Sequence, residues 1–326
     1  MIDHSSGKLR AMDPGRGASD MISELLLGMR LVGLHYRRVQ MTAPFGVRFD
    51  AEPGSAQFHF VVRGPVYVRC DSGTQRMLET GDAVLLPRAS RHEMVSSPEL
   101  EAFDITRFQA VEICRQVDAI HACKQEAANG DSSLFFSGCM KFDLGSMGML
   151  IPMMPEIIHV DTLLAKSPEI LPMLEAMERE ISRERAGYGA IVTRLADVVS
   201  ASIVRGWVEC GCGDASGWVD ALRDPRLGRV INALHRDPGR NWTVASMAAE
   251  MGASRSVFAE RFLDMTGVTP LRYVADLRMR LATQWIRQDN LSVDAVASRL
   301  GYASAAAFSR AFKRVTGTSP GEVRRG

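Results

Sequence analysis

Two stretches near the C-terminus decide the fold. Residues 242–270 read WTVASMAAEMGASRSVFAERFLDMTGVTP, and residues 291–320 read LSVDAVASRLGYASAAAFSRAFKRVTGTSP. Apolar, glycine and proline positions of the first stretch recur in the second, 49 or 50 residues later: Val244, Ala248, Gly252, Phe258, Phe262, Gly267 and Pro270 become Val293, Ala297, Gly301, Phe308, Phe312, Gly317 and Pro320. A period that occurs only twice indicates a duplicated unit rather than a solenoid.

Each copy predicts two helices joined by a sharp turn. Gly252 and Gly301 stand where a helix ends with a positive φ, which glycine adopts without steric cost. The two phenylalanines that follow are spaced i, i+4, so they lie on one inward face of a second helix. Hydroxyl side chains suited to N-capping precede all four helices: Thr243, Ser254, Ser292 and Ser304. Helix, glycine turn and helix together form the helix-turn-helix plan.

The surroundings of the two copies favour nucleic-acid binding. Residues 271–288 predict one long helix that holds the copies roughly one DNA turn apart, ~34 Å. From Leu222 to the end there are 17 Lys+Arg against 9 Asp+Glu, whereas the rest of the chain has 22 against 29. A basic segment joined to an acidic one is typical of a DNA-binding domain on a non-binding partner.

The residues at 301–304 (GYAS), 308–314 (FSRAFKR) and 317–320 (GTSP) resemble the AraC/XylS transcription regulators, over about 222–326. The resemblance implies that the first recognition helix presents Arg255, Ser256, Ala259 and Glu260. It implies that the second presents Ser304, Ala305, Ala306, Ser309 and Arg310, with Lys313 and Arg314 beside phosphates. Relatives often have a basic or amide residue where Glu260 stands; an acid can instead accept from a cytosine amino group. Arg310 is the expected base contact.

The N-terminal half predicts a small β-barrel or jelly roll. Short segments rich in Val, Phe, Tyr and Leu are separated by turns at 34–40, 58–63, 66–70, 76–79, 83–86, 92–95 and 101–106. Residues 81–92 (GDAVLLPRASRH) resemble the second cupin motif, and Phe58-His59-Phe60 stands where the first would be. The resemblance implies a cupin-type sensor whose ligand pocket is lined by His59 and His92.

A metal site and an enzymatic role are alternatives for this barrel. A catalytic metal cupin needs several histidines and a carboxylate around one ion, but only His59 and His92 occupy motif positions. A third ligand for a bound ion such as zinc could come from Cys139, or from His121 or His159. Two polar residues in a barrel pocket are the favoured interpretation, so we expect no enzyme; the alternative is a cupin enzyme with a DNA-binding tail.

The cysteines suggest a redox alternative for the signal. A sensor thiol must be accessible and have a lowered pKa. Cys70 follows Arg69, and Lys141 lies two residues after Cys139, so each candidate has one cationic neighbour in sequence. Six cysteines without regular spacing fit a reducing compartment, and no apolar run is long enough to span a membrane. We therefore expect a cytoplasmic location.

The sequence predicts an α+β multidomain protein. Residues 1–20 are expected to form a disordered tail, followed by a short helix at Met21–Val32 within a sensor domain over 21–165. Helices at 168–184 and 189–209 lie in a linker over 166–221 that the resemblance associates with homodimers, and 222–326 bind DNA. The expected partners are double-stranded DNA, an unknown small-molecule or oxidant effector and, for an activator, RNA polymerase. A constitutive architectural protein with a vestigial barrel remains a third alternative.

Overall fold

The computed structural model describes residues 29–50, 52, 54–123, 132–164, 167–210, 216–287 and 289–325. They fall into two compact units, Gly28–Ser216 and Gly217–Gly326. The expected tail at 1–20 and the first part of the helix predicted at 21–32 lie outside the described residues. The end of that predicted helix is wrong: residues 30–32 belong to a strand, because they pair in register with residues 141–143.

The described residues of the N-terminal unit include twelve strands: β1 (Arg30–Thr42), β2 (Gly46–Phe49), β3 (Ser55–Arg63), β4 (Val66–Cys70), β5 (Gln75–Leu78), β6 (Ala83–Leu86), β7 (His92–Val95), β8 (Phe103–Asp104), β9 (Ala110–Cys114), β10 (Val117–Ala122), β11 (Ser132–Asp143) and β12 (Ile158–His159). One sheet has the order β12-β6-β3-β11-β1-β10-β9, and the other has the order β5-β4-β7-β2-β8. The predicted cupin-like β-rich fold is confirmed, although β2 and β9–β12 were not among the predicted strands.

The core of this unit lies between the two sheets. Alternate residues of facing strands point into one apolar cluster, including Val39, Val61 and Phe135 from the large sheet and Val47 and Val68 from the small one. These side chains are almost completely buried. The face-to-face packing brings residues of β3 and β7 together, although 33 positions separate His59 from His92.

Helices cover the outer face of the large sheet. A short helix, α1 (Asp161–Leu164), precedes α2 (Ile170–Arg183) and α3 (Tyr188–Cys210), and α3 packs on β1 and on α2. The ring of Tyr36 lies over Gly33 and Gly138, where any Cβ would come within 3 Å of it. Its hydroxyl donates to Asp197 Oδ1 at 2.9 Å, which ties α3 to the sheet. The segment expected as a linker is divided between the two units.

The C-terminal unit is entirely helical in its described residues. Its helices are α4 (Ser216–Arg223), α5 (Leu227–Arg236), α6 (Val244–Met251), α7 (Arg255–Thr266), α8 (Pro270–Arg287), α9 (Val293–Arg299), α10 (Ala305–Thr316) and α11 (Pro320–Arg325). The long helix predicted at 271–288 is thus present as α8. Among the described helices, none combines the length and apolarity that crossing a bilayer requires.

Candidate nucleic-acid interface and barrel cluster

Local hydrogen bonds shape the two helical pairs as the sequence predicts. Each predicted N-cap hydroxyl accepts from the amide three residues on: Thr243, Ser254, Ser292 and Ser304 cap α6, α7, α9 and α10. Gly252 and Gly301 have φ of 69° and 73°, so the chain turns sharply after α6 and α9. After each turn the second helix packs against the first: α7 contacts α6, and α10 contacts α9.

Both second helices bury one face and expose the other. Phe258, Phe262, Phe308 and Phe312 are fully buried, and the two rings of each helix lie 5.6 Å apart between centroids. The opposite face of α10 exposes Ala306, Arg310, Lys313 and Arg314 after the exposed Ser304, while Ala305 and Ser309 are partly exposed. That face of α7 exposes Arg255, Ser256 and Glu260, with Ala259 partly exposed. The expected contact residues therefore reach solvent or its edge.

Three arginines that were not among the predicted contact residues connect elements of the C-terminal unit. Arg226 donates to the carbonyl oxygens of Met251 and Gly252 at 3.1 and 2.7 Å, so it satisfies the end of α6. Asp224 accepts from the amides of Arg226 and Leu227 at the start of α5 and pairs with Arg261 of α7. Arg278 of α8 donates to the carbonyls of Pro238 and Arg240. Their partners are distant in sequence, so no local spacing signals them.

The barrel interior contains a closed histidine cluster, in which the imidazoles of His59 and His92 bond to each other and every ring nitrogen has a partner. The Nε2 atoms of His59 and His92 lie 2.7 Å apart, His59 Nδ1 lies 2.7 Å from Ser137 Oγ, and His92 Nδ1 lies 2.7 Å from the carbonyl oxygen of Ser90. Phe49 stacks on His92 with a ring-centroid distance of 5.1 Å. Both imidazoles are inaccessible to solvent. In this conformation they bond to each other within the core, and a ligand pocket lined by His59 and His92 stays a prediction.

The backbone carbonyl at one end fixes the proton positions in this cluster. The Ser90 carbonyl can only accept, so His92 Nδ1 carries a hydrogen and its Nε2 is bare. His59 then donates from Nε2, and its bare Nδ1 accepts from the Ser137 hydroxyl. Burial, with His92 adjacent, lowers the pKa of His59 well below its usual value. Burial also lowers the pKa of His92 to about 4, although the hydrogen bond to Ser90 opposes this. Both rings are neutral at pH 7.

The residues considered for a metal do not fit an ion. Two imidazole nitrogens on one tetrahedral zinc are each ~2.0 Å from the ion, which separates them by ~3.3 Å. The two Nε2 atoms are closer than this and share a proton, and both Nδ1 atoms already have partners. Cys139 Sγ instead contacts Glu52 Oε2 and Ser55 Oγ at 3.3 and 3.8 Å. In the described part of the chain, no three metal-ligating side chains converge.

The structure also argues against the two redox candidates. Burial raises the pKa of Cys70 to about 12 and that of Cys139 to about 11, so both are protonated thiols at neutral pH. Arg69 does not activate its neighbour, because successive residues of a strand point to opposite faces. It pairs with Glu93 instead. Among the described residues, Cys114 and Cys123 are free and exposed, a property that sequence does not reveal.

An apolar stripe lies on the outer face of α3. Ile191 and Val198 are about half exposed, at 46% and 51%, and Leu195 between them is partly exposed. The spacing i, i+4, i+7 puts the three on one side of the helix. Arg194 beside them is exposed.

The chain matches known proteins along most of its length. The cupin family matches residues 20–209, and a helix-turn-helix domain family matches residues 247–326. A protein of Streptomyces lividans named as an AraC-like transcription regulator is 32% identical over 86% of this chain and 90% of its own length. The HTH-type transcriptional regulator AlkR of Acinetobacter baylyi is 29% identical over 82% of this chain and 86% of its own. The crystallised DNA-binding domain of AdpA with a target DNA is 31% identical, covering 30% of this chain and 88% of that one, with a TM-score of 0.29.

Proposed function

This chain belongs to the AraC-like transcription regulators with an N-terminal cupin domain, and from that premise we propose that α7 and α10 read the sequence of duplex DNA while the barrel responds to a small molecule or an oxidant. The observation that carries the proposal is the pair of capped, glycine-hinged helices whose polar faces remain exposed. An exposed recognition helix of this kind enters the major groove.

Within this proposal, Arg310 reads a base and its neighbours hold the backbone. Arg310 stands opposite Phe308 and Phe312 on α10, so its guanidinium projects from the exposed face. Arginine donates in a fork that matches the two acceptors of guanine. Lys313 and Arg314 lie one turn further along and contact phosphates, which position the protein without specifying sequence. Arg255, Ser256, Ala259 and Glu260 hold the corresponding place on α7, and Ser304, Ala305, Ala306 and Ser309 complete the surface of α10.

The test uses the full chain and a duplex selected from a randomised library. Arg310→Ala should cost ~1–3 kcal/mol on the selected duplex and relax selectivity at one base pair. The matched control is Arg272→Ala, because Arg272 is exposed on α8 and paired with Asp276. Equal weakening of selected and random duplexes by Arg310→Ala would remove its base-reading role. Failure of the wild-type chain to bind any duplex would reject the function.

The proposal also covers how a signal changes DNA binding. A signal shifts DNA binding only if it binds the DNA-competent and incompetent states with different affinities. Because every ring nitrogen of His59 and His92 already has a partner, a signal that bonds to either ring must break a hydrogen bond of this cluster. We expect His92→Ala, which removes the acceptor of His59, to change DNA affinity in the absence of any effector. A constitutive architectural protein would bind equally with either residue, and the cupin-enzyme alternative gains no support from the described residues.

We propose that the apolar stripe of α3 is the interface of a homodimer. The same stripe on a second copy can cover Ile191, Leu195 and Val198. This stabilises the dimer by ~25 cal/mol per Å² of apolar surface removed from water. Sedimentation velocity should therefore show a dimer at micromolar concentration, and Ile191→Asp with Val198→Asp should give a folded monomer. Arg194→Ala serves as the control. A wild-type monomer at that concentration would remove the dimer. Where the regulator activates, RNA polymerase is its other partner.

A further inference from the structure

The second helices of the two helix-turn-helix units, α7 and α10, have the same length and end in the same way. Their exposed residues can therefore be compared position by position. Both have twelve residues, begin after a capping serine and end at a glycine with φ of 71° or 80°. Thr266 and Thr316 donate to the carbonyls of Phe262 and Phe312 in the same way. Each residue of α7 therefore corresponds to the residue fifty positions later in α10.

The exposed faces of these equivalent helices differ in charge. Glu260 corresponds to Arg310, Leu263 to Lys313 and Asp264 to Arg314, and all six side chains are exposed. A helical wheel centred on the buried phenylalanines puts Glu260 at the middle of the solvent side. At three matched positions, α10 has a cation where α7 has an acid or an apolar group.

Intramolecular ion pairs do not cancel this difference. Within the described chain, Glu260 and Asp264 have no hydrogen-bonding or ion-pair partner, and the three cations of α10 have none. Arg261, the second cation of α7, is paired with Asp224. The unpaired charges are thus one cation and two anions on α7, against three cations on α10.

Phosphate electrostatics then separate the roles of the two helices. DNA carries one negative charge per ~1.7 Å of its axis, so free cations anchor a protein and free carboxylates beside phosphates repel it. A carboxylate gains at the bottom of the major groove only where it accepts a hydrogen bond. The N4 amino group of cytosine is such a donor, whereas the N6 amino group of adenine stands beside the N7 acceptor.

We propose that the two helix-turn-helix units divide DNA recognition: α10 anchors the protein electrostatically, and α7 reads a cytosine through Glu260 while contributing little to phosphate binding. The inference rests on the proposed function and deepens it. Val257 and Leu263 are exposed beside Glu260, at 53% and 43%. Such apolar groups are suited to the C5-methyl group of thymine, the apolar feature of the major groove.

The experiment selects binding sequences for the full-length wild type and for Glu260→Gln from one randomised duplex library. The wild type should prefer cytosine at one position of the half-site bound by α7. Glutamine keeps the shape but adds an N–H donor, and it pairs with adenine, so the preference for cytosine should fall about tenfold or change to adenine. Asp264→Asn is the matched control, and it should leave the selected sequence unchanged.

A salt series on the selected duplex tests the other half of the division. Lys313→Leu should reduce the slope of log affinity against log salt by about 0.9, the value for one lost phosphate contact. Arg255→Ala, the only unpaired cation of α7, should reduce the slope by clearly less. The Glu260→Gln protein should keep the wild-type slope or show a steeper one.

The outcomes separate this inference from the function on which it rests. Selection of the same sequence by Glu260→Gln and the wild type, or equal slope changes for Arg255→Ala and Lys313→Leu, overturns the division of labour while DNA recognition stands. Absence of duplex binding by the wild type overturns both. A cytosine preference that depends on Glu260, together with a slope that depends on Lys313, supports the inference.

Discussion

The two units of this protein place their polar groups in opposite ways. The C-terminal unit buries pairs of phenylalanines and exposes its charged groups on the outer faces of α7 and α10. The N-terminal unit buries His59 and His92 at the centre of a barrel, where they bond to each other. An exposed face is ready to bind a partner, whereas a closed cluster can respond only by opening.

In the C-terminal unit, two glycine turns have the same conformation but different surroundings. A Cβ on Gly301 would lie 2.0 Å from the carbonyl oxygen of Gly239, while the nearest atom to a Cβ on Gly252 is 3.7 Å away, on Arg226. The duplicated turns are thus equal in conformation and unequal in packing.

The largest expected effect comes from substituting these glycines. Gly252→Ala forces a side chain into the left-handed region, at a cost of about 1–2 kcal/mol. Gly301→Ala adds a collision with the backbone at Gly239, so we expect a loss of about 3 kcal/mol or more. Urea denaturation followed by circular dichroism measures both. Equal losses would show that the second turn relaxes freely and that its close packing has no energetic weight.

These turns were predictable from sequence because their determinants are local. A capping serine, a glycine and two phenylalanines at i, i+4 lie within fifteen residues of each other, and the duplication repeats the signal. The same periodicity put Ser309, Arg310, Lys313 and Arg314 on the outward face of α10. The expected contact residues of α7 came only from the resemblance to AraC/XylS regulators. The charge difference between Glu260 and Arg310 is visible in the sequence. The sequence does not show that neither side chain has a partner within the described chain.

The barrel was predictable only as a fold class. The partners of His59 are Ser137 and His92, which reach it through strand pairing and sheet packing over 78 and 33 residues. Periodicity within one strand contains no information about register with a distant strand. For the same reason, the sequence could not show that Cys70 and Cys139 are buried, or that Tyr36 bonds to Asp197.

The buried histidines predict acid lability of the barrel. His92 has a folded-state pKa of about 4, against 6.5 in the unfolded chain, so between these values the unfolded state binds more protons. Stability is therefore full above pH 6.5 and falls by up to about 3 kcal/mol as pH drops to 4. Denaturation midpoints for the wild type and His92→Gln over that range measure the effect.

His92→Gln should show a shallower dependence of stability on pH, because glutamine can still accept from His59 but does not titrate. His235 of the C-terminal unit is also buried with a lowered pKa, so that unit contributes its own loss in both proteins. The difference between the two proteins isolates the barrel. Parallel pH profiles would mean that His92 is accessible to protons in the folded state.

A smaller effect is expected where α3 meets the large sheet. Tyr36→Phe removes the hydrogen bond to Asp197 and leaves a half-buried carboxylate without that donor, which should cost about 1–2 kcal/mol. The pKa of Asp197 is already raised by burial, and it should rise further because the Tyr36 hydroxyl opposes that shift. Asp197→Asn keeps an acceptor for Tyr36 and should cost less. A larger loss for Asp197→Asn than for Tyr36→Phe would contradict this account.

The smallest effect tests whether the duplicated units are as equivalent as their geometry indicates. Ser254→Ala and Ser304→Ala each remove one side-chain acceptor from the first turn of α7 or α10, so each should cost about 1 kcal/mol. The two caps share no partner, so the double variant should lose the sum of the single losses. A loss of stability at only one of the two serines would mean that α7 and α10 differ in stability. The difference between their roles would then have a structural cause as well as a difference in charge.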